Sequence, residues 1–194
     1  MTNVFADCIK TDGLIKCPGD GGFSEVIVFG KHVRIRKDHP VIELMGSLDE
    51  LEAWSEWALI RLNDRIFGVI AALTTAVNTY LATGDEAWLN NVRRVVLRSC
   101  NLDAKELGWF IPRDERTALL NILRVKAREA ERVAVRLLSD ESLPRDKVTN
   151  LITVLNQLNK YIAHMIYLSD EVKVLRSVRD KINLLINDAH SRKT

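Results

Sequence analysis

The chain has 194 residues, of which 47% are hydrophobic and 28% are charged, so it is long enough to bury a core in one domain or at most two. Its 28 basic and 26 acidic residues give a formal net charge of +2, which argues against nucleic acid or an anionic membrane as a partner. Any anion-binding site is therefore expected to be local.

The cysteines and histidines argue against a disulfide scaffold and against a metal held only by protein ligands. Cys8, Cys17 and Cys100 have no C-x-x-C spacing, and the four histidines are scattered along the chain. The N-terminal residues lack the basic start and apolar core of a signal peptide, and no apolar run approaches the roughly 20 residues that span a bilayer. We therefore expect reduced cysteines and a cytoplasmic protein.

Residues 1–46 form the first predicted segment, an irregular arm rich in glycine, proline, aspartate and lysine with one strand-like run at residues 26–29. Within it, PGDGG at residues 18–22 is either a plain turn or a nest of backbone amides that binds an anion. Its proline-glycine and aspartate-glycine pairs favour the turn, and the G-x-x-x-x-G-K-[ST] spacing of a phosphate-binding P-loop is absent.

Long amphipathic helices are predicted after the arm. Ser47 and Glu50 are typical of a capping box that begins the first helix. The predicted later boundaries are an end at Thr83 and Gly84, a helix from about Glu86 to Leu107, a loop at residues 108–114, a helix from near Asp114, another from about Asp146 to Leu168, and a last one from Val172 to Ala189. This pattern predicts an all-α fold, an antiparallel five-helix bundle of the ferritin-like up-down style with an extra C-terminal helix, over residues 47–194.

Polar side chains on two of these helices stand out from the apolar stripes. Arg124, Arg128, Glu131 and Arg132 share one helix face, which is typical either of a solvated, ion-paired surface or of a cluster of guanidinium groups that binds a triphosphate. Asn156 lies beside the apolar stripe of the next long helix, where we expect it to have a polar partner.

Five motifs in succession resemble those of one family. They are PGDGGFSEV, RIRKDHPVIELMGSLDELEA, WFIP, RVKAREAER and LNQLNKY, and the match to the family covers roughly residues 10–168. The most specific is K-D-x-P-x-x-E-x-x-G-[ST]-x-D-E-L, from Lys37 to Leu51. In this order they are similar to the motifs of the ATP:cob(I)alamin adenosyltransferases of the propanediol-utilisation type.

The resemblance implies a homotrimer whose sites lie between neighbouring subunits. It implies that ATP, Mg²⁺ and cobalamin bind there, that cob(I)alamin attacks the 5′ carbon of ATP, and that adenosylcobalamin and triphosphate are formed. A cobalamin reductase is the further partner that this chemistry needs.

The resemblance also implies the site residues. The phosphate-binding loop corresponds to Gly19, Asp20, Gly21, Gly22, Phe23 and Ser24, with Lys16 and Lys37 beside it. Asp49 is implied to pair with Arg124 of a neighbouring subunit, and Arg128 to bind the triphosphate. Glu131 and Asn156 are implied nucleotide contacts, and Phe110 lies at the position of the aromatic residue beneath the corrin ring.

Several positions depart from the family pattern and leave an alternative open. Cys17 and Pro18 replace the usual lysine and threonine of the loop, residues 111–114 replace L-P-G-G in a shorter segment, and Glu129 replaces an arginine. Glu129 and Lys160 could form an exchanged ion pair. The alternatives to an active transferase are a catalytically impaired relative that binds ATP or a corrinoid, and a helical assembly protein whose charged face only joins subunits.

Overall fold

The computed structural model describes residues 8–11, 13–99, 109–169, 172–175 and 177–191. In the arm, β1 is Ile9–Thr11, β2 is Leu14–Lys16, β3 is Phe23–Val28 and β4 is Lys31–Arg36. The α-helices and the other strands are α1 (Pro40–Leu62), α2 (Arg65–Thr83), α3 (Glu86–Ser99), β5 (Trp109–Pro112), α4 (Glu115–Arg136), α5 (Arg145–Tyr167), β6 (Val172–Leu175) and α6 (Val178–Ser191), and a short 3-10 helix at Leu137–Ser139 follows α4. The predicted helical bundle is confirmed.

The core lies where α1, α2, α4 and α5 pack together, with α3 against α2 and α5. Its largest fully buried side chains are Tyr80, Phe67, Leu44, Leu48, Leu51, Ile70, Leu81, Leu89, Leu120, Leu123, Leu137 and Leu151. Helix α2 is long and apolar enough to cross a membrane by length and composition alone, contrary to the expectation that no such run exists, but its apolar face is packed into this core. Such burial is what a central helix of a bundle requires.

Helix α1 begins at Pro40, seven residues before the predicted capping box. The side chain of His39 caps the helix by accepting a hydrogen bond from the Val41 amide, and proline suits the first helical position because it needs no N–H there. Ser47 instead lies inside the helix and donates its hydroxyl to the carbonyl of Glu43. The capping-box prediction was therefore wrong, because a Ser-x-x-Glu pattern can also occur within a continuous helix.

The other helix boundaries agree better with the sequence. Helix α2 ends at Gly84 in the left-handed conformation, and Asp114 caps α4 by accepting from the Thr117 amide. Helix α5 lies within one residue of its predicted limits. The predicted end of the third helix at Leu107 lies outside the described residues.

The arm contains two antiparallel hairpins, where the sequence predicted irregular structure with a single strand-like run at residues 26–29, most of which lies in β3. In the β1–β2 hairpin, Ile9 pairs with Lys16. Cys8, just before β1, and Cys17, just after β2, therefore lie close together and form a disulfide. The expectation of reduced cysteines was therefore wrong for this pair, since it relied on spacing and could not anticipate which residues a hairpin places opposite each other.

The β3–β4 hairpin docks on the end of α2 through its turn. Phe29 and Gly30 form a two-residue turn with φ of 49° and 81°, which strand twist favours. Their amides donate to the carbonyls of Leu81 and Ala82, both over 2.7 Å, and the Phe29 ring packs edge-on against Tyr80. Burial of this ring offsets the strained backbone of a bulky residue at positive φ.

Residues 109–112 and 172–175 form a third small sheet rather than a loop and the start of a helix. Strand β5 pairs antiparallel with β6, with Trp109 opposite Leu175 and Pro112 opposite Val172. The last helix therefore begins only at Val178. Both predictions were wrong because the pairing joins segments far apart in the sequence, which local patterns do not reveal.

Candidate functional site

The first candidate site is a cavity of about 670 Å³ beside the glycine-rich turn that follows β2. Its wall consists of Pro18, Gly19, Gly21, Phe23, Ser24, Glu25, Arg34 and Lys37. Five of these residues, Gly19, Gly21, Phe23, Ser24 and Lys37, were expected from the sequence to lie at one nucleotide site. The structure brings them together around one open space.

Hydrogen bonds within the turn fix its shape. The carboxylate of Asp20 accepts from the Cys17 amide over 2.8 Å, and the Asp20 amide donates back to the Cys17 carbonyl over 3.1 Å. The Gly22 amide donates to the Gly19 carbonyl, and the Lys37 amide donates to the Gly22 carbonyl. The amides of Asp20 and Gly22 are therefore already engaged, so an anion in the cavity would depend on the other amides and on side-chain cations.

Gly19 is where the Lys37 side chain meets the turn. It has a φ of 98°, and a Cβ there would lie 3.2 Å from the Phe23 carbonyl oxygen and 3.4 Å from the Lys37 ammonium nitrogen. Glycine thus provides both the backbone conformation and the room for the ammonium group. Lys16, by contrast, lies on the exposed strand β2 and is not part of the cavity wall.

Arg34 is a cation in the cavity wall that the sequence analysis missed. Its guanidinium carbon lies 4.8 Å from the centre of the Phe23 ring, at cation–π distance. The alternation in KHVRIR could have revealed it, because residues 32, 34 and 36 of one strand must share a face.

The second candidate site lies where β5 meets α4 and α5. The Phe110 ring packs edge-on against Tyr167, with ring centres 5.6 Å apart, and the Arg124 guanidinium carbon lies 5.4 Å from the Phe110 centre. Phe110 is buried, and Arg124 and Tyr167 are half-buried. Tyr167 is a second residue that the sequence analysis missed, since it is an ordinary aromatic residue at the end of a long helix.

The positive charge of Arg124 is half-buried and lies near another positive charge. Its side chain donates to the Asn121 amide oxygen over 3.1 and 3.2 Å, and it has no carboxylate partner among the described residues. Burial and the nearby positive charge of Arg128 lower the pKa of Arg124. A half-buried cation of this kind is suited to pair with an anion from a ligand or another chain.

The remaining predicted residues lie on the helices and are not part of the cavity wall. Asp49 accepts a hydrogen bond from Asn78 of α2 over 3.3 Å, so the implied Asp49–Arg124 pair does not form within one chain and stays a prediction for an assembly. Arg128 is exposed and Glu131 half-buried on α4. Asn156, half-buried on α5, shares a helix face with Tyr167 three turns further on.

Glu129 does not form the exchanged pair suggested by the sequence. Its carboxylate lies 3.2 Å from the Lys126 ammonium group, which also pairs with Glu50 of α1 over 2.7 Å. Within the described residues, Lys160 forms no ion pair. The hypothesis was wrong because Glu129 lies on the side of α4 that faces α1, away from α5.

The sequence profile of the family described as cobalamin adenosyltransferase matches residues 14–168. This range contains the cavity and the cluster of Phe110, Arg124 and Tyr167. None of the curated protein sequences is significantly similar to the chain.

Solved structures of PduO-type ATP:corrinoid adenosyltransferase from Lactobacillus reuteri have a similar fold. A phenylalanine-to-alanine variant complexed with cobalamin and ATP is 20% identical, with a TM-score of 0.57 over 82% of this chain and 97% of that one. An arginine-to-lysine variant complexed with ATP is 18% identical, with a TM-score of 0.52 over the same shares. A phenylalanine-to-histidine variant with both ligands is 20% identical, with a TM-score of 0.53 over 76% and 86% of the two chains.

Proposed function

Because the chain belongs to the cobalamin adenosyltransferase family, we propose that it transfers the 5′-deoxyadenosyl group of ATP to the cobalt of cob(I)alamin. The products are adenosylcobalamin and triphosphate. The observation that carries the proposal is that the family match spans both candidate sites, one bearing cations beside an open loop and the other an aromatic cluster.

The reaction needs little acid–base chemistry from the protein. The electron pair of the reduced cobalt forms a bond to the 5′ carbon of ATP, the bond from that carbon to oxygen breaks, and the electrons leave with triphosphate. No proton has to move in this step. The protein would therefore act by placing the two substrates and by stabilising charge on the leaving group.

The cavity beside the glycine-rich turn is suited to the phosphate end of ATP. The amides of Gly19 and Gly21 and the ammonium group of Lys37 would face the phosphates. Arg128, which is exposed on α4 and is not part of the cavity wall, would add its guanidinium group once subunits assemble. Mg²⁺ would enter with the phosphates. Glu25 and Ser24 are the side-chain oxygen donors in the cavity wall that fit an ion coordinated mainly by phosphate and water.

The aromatic cluster is suited to the corrinoid. The Phe110 ring is held in place by Tyr167 and Arg124, and the small part of it that is exposed would offer a rigid apolar contact for a flat macrocycle. In the proposed role Phe110 lies beneath the corrin ring and excludes a lower axial ligand. Glu131 and Asn156 would contact the nucleotide from α4 and α5.

We propose further that the protein acts as a homotrimer. Trp54, Trp57 and Ile60 of α1 and Ile122 and Val125 of α4 are exposed apolar side chains, which is typical of surfaces that pair with another chain. Asp49 of one subunit would then supply the carboxylate that Arg124 lacks. Analytical ultracentrifugation of the wild type and of Asp49→Ala tests this, with a weaker assembly expected for the variant.

The experiment that tests the transferase is an anaerobic assay with ATP, Mg²⁺ and chemically reduced cob(I)alamin, in which the absorbance change reports formation of the cobalt–carbon bond. Arg128→Ala should reduce turnover by about 10- to 100-fold, as for loss of a charged hydrogen bond. Arg136→Ala is the matched control, because Arg136 is an exposed arginine of the same helix that pairs with Glu43. A change in assembly with unchanged ATP affinity in Arg128→Ala would favour the structural role instead.

The second candidate function is an ATP- or corrinoid-binding protein without transferase activity. It is favoured by the turn itself, in which Pro18 has no amide hydrogen and the amides of Asp20 and Gly22 are engaged internally. ATP binding without turnover in the same assay would support it.

A further inference from the structure

The Arg34 side chain is positioned to bind an anion, and no described residue of the protein supplies one. Strand β3 places Glu25 directly opposite Arg34, on the same exposed face of the hairpin. The two side chains nevertheless form no ion pair, and the Arg34 guanidinium lies over the Phe23 ring instead. Within the described part of the chain, Arg34 has no carboxylate within salt-bridge distance.

Arg36, two residues further along the same strand face, shows the contrasting arrangement. Its guanidinium donates two hydrogen bonds to the carboxylate of Asp38, over 2.9 and 2.7 Å. Arg36 is also not part of the cavity wall, whereas Arg34 is. The charge of Arg36 is therefore neutralised by a nearby carboxylate, whereas Arg34 is unpaired among the described residues and lies in the cavity wall.

The Phe23 ring gives Arg34 a defined position. Stacking on an aromatic face leaves the edge of the planar guanidinium, with its N–H donors, available to bind oxygen atoms in two-pronged fashion. Lys37 reaches the same cavity from beyond the end of β4, against Gly19. The cavity wall thus has the guanidinium group of Arg34, which can donate two parallel hydrogen bonds, and the ammonium group of Lys37. This combination is suited to a chain of linked phosphates.

We propose that Arg34, positioned by Phe23, binds the triphosphate group of the nucleotide directly. This rests on the proposed function, in which ATP is a substrate, and it adds a residue to the phosphate site. In this proposal, Phe23 orients the Arg34 guanidinium group rather than contacting the nucleotide base.

The test is isothermal titration of inorganic tripolyphosphate and, separately, of ATP into the full chain. Arg34→Ala should weaken tripolyphosphate binding by about 10- to 100-fold, because a charged pair of hydrogen bonds is lost. Arg34→Lys keeps the charge but not the fork and should lose about 3- to 10-fold. Phe23→Leu should lose about 2- to 5-fold, and the control Arg36→Ala should remain within about 2-fold of the wild type.

The outcomes separate this inference from the proposed reaction. Equal losses in Arg34→Ala and Arg36→Ala, or none in either, would overturn the role of Arg34 even if the wild type transfers the adenosyl group. An Arg34-dependent affinity in a protein that shows no transfer would support the phosphate contact and point to the binding-module function. A wild type that binds neither tripolyphosphate nor ATP would overturn both. Because Arg34 is exposed, circular dichroism should show each variant folded like the wild type.

Discussion

Several helix contacts of the bundle and the cavity wall of the N-terminal arm differ in how their charges are paired. In the bundle, oppositely charged side chains of neighbouring helices face each other: Lys126 pairs with Glu50, Arg116 with Asp64 and Arg61 with Glu115. In the arm, two cations of the cavity wall, Arg34 and Lys37, form no ion pair with any residue in the described ranges. These ion pairs join the helices, whereas the two cations of the cavity wall leave positive charge for something else; Arg124 in the bundle and Arg36 in the arm are the exceptions on each side.

The largest contrast is expected from removing one phenylalanine in each region. Phe67→Ala in α2 should lower the free energy of unfolding by about 3–5 kcal/mol, because the side chain is fully buried. Phe23→Ala in the arm should lower it by no more than about 1 kcal/mol, because that ring is partly exposed. Urea denaturation of both variants measures the difference, and equal losses would show that the Phe23 ring contributes as much to the folded core as the Phe67 ring.

A smaller, local effect is expected from the disulfide of the arm. By the chain-entropy estimate, closing a loop of this length stabilises the β1–β2 hairpin by about 2–3 kcal/mol. Cys8→Ser should therefore speed amide hydrogen exchange in residues 9–16 while leaving the midpoint of global unfolding nearly unchanged. A large fall in the global midpoint would show that the β1–β2 hairpin unfolds together with the bundle rather than locally.

Within the bundle, Asp64 joins two helices. It caps α2 by accepting from the Ile66 amide over 3.0 Å, and it pairs with Arg116 of α4 over 2.6 Å. Asp64→Ala should cost about 1–2 kcal/mol at neutral pH, and Asp64→Asn, which keeps a capping oxygen, should cost less. Thermal or chemical denaturation gives both values, and equal losses would mean that the cap is not what matters.

The same residue makes stability depend on pH. Burial alone would raise the pKa of Asp64, but the Ile66 hydrogen bond and Arg116 outweigh it, so the pKa is lowered. A carboxyl with a lowered pKa stabilises the folded state above its unfolded pKa of about 4 and loses that contribution as the pH falls through the folded value. The stability difference between wild type and Asp64→Asn should therefore shrink as the pH falls from about 5 towards 3, in denaturation curves measured at each pH.

The smallest effect is expected at Ser47. As a helix cap it would cost about 1 kcal/mol to replace with alanine. Its observed position inside α1, donating to the Glu43 carbonyl, predicts instead a change within about 0.5 kcal/mol of the wild type, of either sign. A loss near the larger value would restore the capping-box interpretation.

Local signals were enough to predict most of the bundle. The left-handed glycine after α2 and the aspartate before α4 act on the nearest turn of backbone, so the sequence alone reveals them. The Ser47 pattern misled because the same residues are compatible with a helix interior. Strands β5 and β6 were missed because their pairing depends on the whole chain being folded.

The candidate sites were predictable to the extent that they use local sequence. The glycines of the turn could be found from their spacing and from the family resemblance, and the structure places several of them on one cavity. Arg34 reaches that cavity from another strand, and Tyr167 reaches Phe110 from another helix. The alternation in KHVRIR places Arg34 on one face of its strand, but the partner in each of these two contacts lies on a different element, so only the folded chain reveals the contacts.

The pairing of β5 with β6 has a practical consequence for shortened versions of the protein. The match to the family profile ends at residue 168, so a shortened protein that ends at this residue is a natural choice for experiments. Such a chain would leave the strand that carries Phe110 with an unpaired edge, and bare edges of this kind recruit strands from other molecules and promote aggregation. Loss of solubility in such a chain would therefore report a missing strand partner rather than a defect in substrate binding.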